Sequence, residues 1–232
     1  MPTARPSGIG APRGTSNEVG LGYLVGMRLS LCLVLLLLSI QVSFSQGWRG
    51  VDVSFLSEME GDGVVFRDEN GDDIDAPREW MAEQGVNLVR LRVWHNPHLN
   101  LRNSWLGVVR EAAKWDSLDV PSMIDYHFSD TWADPGHQET PAAWEGMSFE
   151  ELQNAMTCWL HCTLEELNDK GIEPAMVQLG NEIDPGMMLP HGSIDNGFGP
   201  LAELLSAGHE VVEEIFPNCQ VAVHVSSVET AP

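Results

Sequence analysis

The chain has 232 residues, with 34 acidic and 12 basic side chains and a formal net charge of −22. Its 43% hydrophobic and 20% charged content is that of a globular chain, long enough for one core or for part of a larger one. So few Lys and Arg exclude the clustered phosphate contacts of a nucleic-acid binder and disfavour an anionic membrane surface, while the charge itself names no substrate.

Residues 1–26 are rich in Gly, Pro, Ser and Thr and show no apolar periodicity. They read as an upstream leader, with Met27 as the start of translation. Arg28 and the apolar run Leu29 to Ile40 follow, then the small residues around Ser43 and Ser45. The run is shorter than the roughly 20 residues of a membrane span. A basic start, an apolar middle and a small-residue end make 27–45 a secretory signal. The expected mature chain is therefore 46–232, outside the cell and free of the membrane once the signal is cleaved. Cys32 falls in the signal, leaving the odd number Cys158, Cys162 and Cys219. Cys158 and Cys162 are four apart on a predicted helix, so they share a face, and they are expected to pack as small apolar residues.

From Gly50 onward, short apolar runs alternate with helix-length segments. Strands are predicted at 50–54, 86–94, 120–127, 175–180 and 220–225, and helices at 77–84, 106–117, 148–170 and 201–215. Ser148 and Glu151 have the spacing of a capping box, and Gly171 stands past that helix's end. Alternation of this kind implies parallel pairing through helical crossovers. Polar residues gather where the strands end: Asp52, Arg90 and Arg92, Asp125 and His127, Asn181 and Glu182, His224. In a (β/α)8 barrel those ends meet on one active face. A doubly wound sheet also binds ligands at its strand ends, but more often has a Gly-rich loop after the first strand. Here Ser54-Phe-Leu-Ser-Glu58 follows instead. The expected fold is an α/β (β/α)8 TIM barrel, truncated after about the fifth unit.

Three groups could do chemistry. Glu182 ends a buried strand beside Asn181, a position that suits a general acid with a hydroxyl-binding neighbour; a helix cap beside a surface Glu would look the same in isolation. Asp125 to His137 is dense in carboxylates and imidazoles around Trp132. It fits a sugar subsite, with Trp132 stacking on a pyranose and Asp134 binding hydroxyls. It also fits a metal site of Asp125, His127, Asp134 and His137, or a structural loop. Arg90 and Arg92 share one strand face and need anionic partners, with Asp52 and Glu182 as candidates.

Four motifs carry a resemblance: Gly50-Val-Asp-Val-Ser54, the segment from Gly85 to Pro97 containing Arg-Leu-Arg-Val-Trp, the segment Ile124 to Pro135, and Val177-Gln-Leu-Gly-Asn-Glu-Ile183. Together, over about residues 48–225, they resemble the endo-β-1,4-galactanases of glycoside hydrolase family 53, retaining (β/α)8 glycosidases. The resemblance implies Glu182 as acid/base. It implies substrate-binding roles for Asp52, Arg90, Arg92, His127, Trp132, Asp134, Asn181 and His224. It implies a galactan polysaccharide as partner, no cofactor, no metal in this portion, and a monomer at full length. The nucleophile it implies lies on a seventh strand, so the chain as given is expected to lack it. Leu189 stands where the family usually has Trp, which leaves the number of subsites open. The competing readings are a non-catalytic galactan-binding or vestigial protein, and a metal-dependent hydrolase.

Overall fold

The structure, a computed structural model, describes residues 47–98 and 101–227. The expected leader and signal segment lie outside the described residues. Strand β1 (Gly50–Asp52) runs into α1 (Leu56–Gly61) and a hairpin of β2 (Phe66–Arg67) with β3 (Asp73–Ile74). Next come α2 (Pro77–Glu83), β4 (Leu88–Val93), α3 (Trp105–Asp116) and β5 (Ser122–Tyr126). A 3-10 turn at Ala142–Trp144 precedes α4 (Phe149–Asp169), which leads to β6 (Met176–Leu179). A second hairpin, β7 (Gly186–Met187) with β8 (Gly192–Ser193), is followed by α5 (Gly199–Ile215) and β9 (Gln220–Ala222).

The main sheet has the order β1-β4-β5-β6-β9, parallel throughout. Each strand pairs with the one before it in the chain, hairpins aside. A doubly wound sheet reverses its order at a switch point; this one does not, so it has the winding of a barrel wall. The ladders are shorter than the apolar runs that predict them, because residues beyond each pairing register turn into loops. The predicted helices stand within two residues. Helix α5 starts earlier than expected because Pro200 fits a first turn, where no N–H is needed. Helix α1 and the two hairpins were not foreseen: six-residue and two-residue elements show no usable period.

The two faces of the sheet separate by parity. Val89, Leu91, Val93, Ile124, Tyr126, Val177 and Leu179 are buried in the apolar core with the helices. Arg90, Arg92, Asp125 and Gln178 alternate with them on the other face. Helix α4 buries Leu152, Met156, Leu160, Leu164 and Leu167 at helical spacing. Each such side chain contributes about 1.5–3 kcal/mol by leaving water. Tyr126 Oη meets Thr163 Oγ1 at 2.9 Å, joining β5 to α4. The capping box forms: Ser148 accepts from Glu151 N–H, and Glu151 accepts from Ser148 N–H at 2.8 Å.

Cys158 and Cys162 do not pack inside; both are exposed free thiols. Each stands two residues past a buried position, Met156 or Leu160. At 100° per residue that is about 200° around the helix, on the solvent side. Shared facing was the correct deduction, and the face was the wrong one. Among the described residues, no helix is long and apolar enough to cross a membrane.

Candidate active site

The sheet brings the expected polar residues to one end. Asp52 accepts from Arg90 Nη1 at 2.8 Å and from Arg92 Nη2 at 3.1 Å. Arg90 donates from Nε to Gln178 Oε1 at 3.2 Å and from Nη2 to Asn181 Oδ1 at 2.6 Å, and Nη2 lies 2.7 Å from Asp125 Oδ2. One guanidinium therefore ties the ends of β1, β5 and β6. Asp125 is fully buried, and Gln178 Nε2 donates to its Oδ1 at 2.6 Å. A buried carboxylate with a guanidinium and an amide donor is a compensated charge, which is what allows it to be there.

His127 is 1% exposed. Its Nδ1 accepts from the Ala133 N–H at 2.9 Å, so Nε2 carries the hydrogen and donates to Asp125 Oδ2 at 3.0 Å. Both nitrogens are engaged, and the ring supports the site from below. Asn181 is fixed in the same way: Nδ2 donates to Ala133 O at 2.7 Å while Oδ1 accepts from Arg90. One N–H of its amide is left for a ligand. His224 Nδ1 lies 2.8 Å from Asn181 Oδ1 and 3.3 Å from the Glu182 N–H. It cannot donate to one and accept from the other. The shorter contact, to an oxygen that is an acceptor, makes Nδ1 the donor.

Glu182 is half-buried, with φ +49°, in the left-handed region that non-glycine residues rarely adopt. Gly180, two residues earlier, has φ +83°, and a Cβ there would stand 2.5 Å from Ile183 Cγ2. The chain thus makes a sharp exit from β6 that only glycine at 180 permits, and this exit carries Glu182 to the sheet's end. The buried Gln138 donates from Nε2 to Asn181 O at 2.8 Å and Glu182 O at 3.1 Å.

Arg92 is 6% exposed, with its guanidinium carbon 4.5 Å from the Phe55 ring centre and 4.3 Å from that of Trp132. It lies between the two rings and holds Trp132 by cation–π attraction. Trp132 itself is 40% exposed. Beside it opens a cavity of about 580 Å³ lined by Thr131, Trp132, Asp134, His137 and Glu139 among others. Asp134 accepts from His137 Nδ1 at 2.9 Å and from the Gly136 N–H at 2.8 Å. The His137 hydrogen bond, with that of Gly136, holds the Asp134 carboxyl below its ordinary range; the same bond and charge push His137 up. At Asp52, burial pushes the carboxyl up, but the Ser54 N–H and the charge of Arg92 outweigh it and leave the group lowered.

The four residues of the metal reading do not converge. Asp125 pairs with His127 inside, and Asp134 pairs with His137 in an exposed turn. Among the described residues no three His, Cys, Asp or Glu side chains could hold one ion. The metal-dependent hydrolase reading falls with that geometry. The other expected site residues gather, but at two depths. Glu182, Trp132, Asp134, His224 and Asp52 are accessible, while Arg90, Arg92, His127 and Asn181 hold them from beneath. Leu189 is half-buried, its N–H donating to Gln138 O at 2.8 Å.

Sequence reasoning missed Gln178, Gln138 and Phe55. Strand parity could have found Gln178, which pairs in register with Asp125. Nothing in the sequence points to Gln138, 43 residues from Asn181.

The description glycosyl hydrolase family 53 matches residues 48–232. The endo-beta-1,4-galactanase of Bacillus subtilis (strain 168) is 31% identical over 190 residues, covering 79% of this chain and 43% of the relative. The arabinogalactan endo-beta-1,4-galactanase of Humicola insolens is 34% identical over 188 residues, covering 78% and 54%. Among solved structures, the Ignisphaera aggregans GH53 catalytic domain superposes with a TM-score of 0.70 at 34% identity, covering 76% of this chain and 51% of that one. A fungal beta-1,4-galactanase structure gives 0.71 at 31% identity, covering 77% and 53%. The chain spans about half the length of the curated relatives it matches.

Proposed function

The chain belongs to glycosyl hydrolase family 53, and we propose that it is the N-terminal part, about five units, of a secreted (β/α)8 endo-glycosidase that cleaves β-1,4-galactosidic bonds in the galactan side chains of pectin. The observation that carries this reading is Glu182 itself. It is a half-buried carboxyl on a sharp exit from a sheet strand, with Asn181 beside it and the Trp132 ledge on the same end of the sheet. The similarity to named galactanases supports the substrate class. The apolar run of 29–40 supports export, with 1–26 a leader and 46–232 the mature portion.

In the proposed reaction, Glu182 gives its proton to the glycosidic oxygen as the C–O bond breaks. A second carboxylate, from a strand beyond the five described, bonds to the anomeric carbon; retaining catalysis needs it about 5–5.5 Å from Glu182. Water then attacks that carbon, Glu182 takes its proton, and the second carboxylate leaves. Asn181 offers its remaining N–H to a sugar hydroxyl. Trp132 stacks a ring, Asp134 and His224 bind hydroxyls, and Asp52, Arg90, Arg92 and His127 keep these groups in place.

The test is reducing-sugar release from β-1,4-galactan by the full-length protein. Glu182→Ala should lower the rate by about 10²–10⁴-fold, the range of a general acid. An unchanged rate in that variant would remove Glu182 from its role. A second reading, galactan binding without hydrolysis, rests on the same accessible Trp132 and Asp134; retention on immobilised galactan without sugar release would favour it.

A further inference from the structure

The segment 180–183 is the most constrained piece of backbone in the site. Gly180 and Glu182 both have positive φ, and Asn181 between them is 2% exposed. A left-handed non-glycine residue costs of order 1–3 kcal/mol and persists only where its surroundings impose it. The Ile183 N–H donates to His224 O at 3.0 Å, fixing the far side of the turn to the end of β9. On the near side the carbonyls of Asn181 and Glu182 both point to one group, the Gln138 carboxamide, at 2.8 and 3.1 Å. Gln138 is 4% exposed. Its own C=O accepts from Leu189 N–H at 2.8 Å, so one residue binds the chain before and after the acidic turn. It leaves the exposed Asp134–His137 turn, whose backbone closes on itself through Asp134 N–H to His137 O at 3.0 Å and the reverse bond at 2.9 Å. The short turn therefore delivers the following residue inward at a set place.

We propose that Gln138 is a positioning residue: its carboxamide holds the Asn181 and Glu182 carbonyls so that the Glu182 carboxyl is presented in proton-donating geometry. This deepens the reading of Glu182 as acid/base and rests on it. The chemistry selects the side chain. Two carbonyls need two N–H donors on one centre, uncharged so that burial is tolerable, at the end of two methylenes. A Met of similar volume fills the space without donors, and an Asn keeps the amide but retracts it.

The discriminating measurement is a leaving-group comparison in the full-length protein. Galactan needs its leaving oxygen protonated. An aryl galactobioside with a dinitrophenolate leaving group departs without that proton. Gln138→Met should lower kcat/KM on galactan by about 10²-fold, the cost of misplacing a catalytic group by about an ångström. On the aryl substrate kcat/KM should stay close to wild type. Gln138→Asn should show the same split, and carries the test if the Met variant does not fold. Equal losses on both substrates, or no loss on either, would overturn the positioning role. Glu182→Ala separates the two claims: if it shows the split and the Gln138 variants do not, only the role of Gln138 fails. If Glu182→Ala shows no split, the acid/base reading fails and this proposal with it.

Discussion

At Arg90 the site's architecture reduces to charge and reach. A guanidinium can point its rigid fork of donors in several directions at once, and here it meets carboxylates on β1 and β5 and amides on β6 and just beyond. A Lys at the same position would supply one point charge and lose the simultaneous ties. Asp134 and His137 are the opposite case, an exposed pair whose charges are held by each other. His137 is raised, so the pair's contribution to the turn is present below the ordinary imidazole pKa and is lost as pH rises through the raised value. Asp134 is lowered, so its contribution is present above the ordinary carboxyl pKa and is lost as pH falls through the lowered value. The turn beside the cavity is thus best ordered between the two. By NMR titration, His137 should titrate above the other solvent-exposed imidazoles, and Asp134→Asn should bring it down to them. A His137 already at the ordinary value in the unaltered protein would contradict this.

At the scale of elements, each helix is anchored where the sequence carries a chemical signal. The Ser148–Glu151 box satisfies N–H groups that the first turn of α4 would leave open. Ser148→Ala should cost about 1 kcal/mol, read as a lowered denaturation midpoint with an unchanged slope. No change would mean that the packing of Leu152, Met156 and Leu160 sets the start of the helix alone. The strands were legible through period-two alternation, and so was the assignment of Arg90, Arg92 and Asp125 to the polar face. Helix α1 and the two hairpins were not. They are held by contacts across the fold rather than by local pattern: Arg78, for example, joins Glu60 on α1 to Glu111 on α3, both at 2.6 Å. The thiols of α4 were misplaced because a four-residue spacing states that two side chains share a face but not which one.

For the whole molecule, the decisive feature is that the sheet's outer strands, β1 and β9, each pair on one side only among the described residues. Next to β9 lies an apolar groove of about 270 Å³ lined by Ile183, Phe198, Leu201, Leu205, Val223 and Val225. Phe198 is 48% and Val223 53% exposed. Unpaired edges and apolar surface of this kind associate unless covered. Residues 46–232 produced alone should therefore self-associate, seen as a mass above monomer in light scattering, and Phe198→Glu with Val223→Lys should reduce it. A monomer with a sharp cooperative melt would sink this expectation. The excess acidic charge opposes association at low salt, so raising the ionic strength should increase the apparent mass.

The amino-acid sequence by itself determined the alternation of strands and helices, the inward parity of the charged residues, and the family through four strand-end motifs. These are local properties: periodicity, capping spacing and short runs of contiguous residues. Only the tertiary structure decided which of the expected site residues are reachable. His127 and Arg92 are covered and Trp132 and Asp134 are open because burial depends on what packs on top, and that comes from segments distant in the chain. The same holds for Gln138, whose place under Glu182 is set by two loops 43 residues apart, a distance over which no sequence pattern carries information about contact.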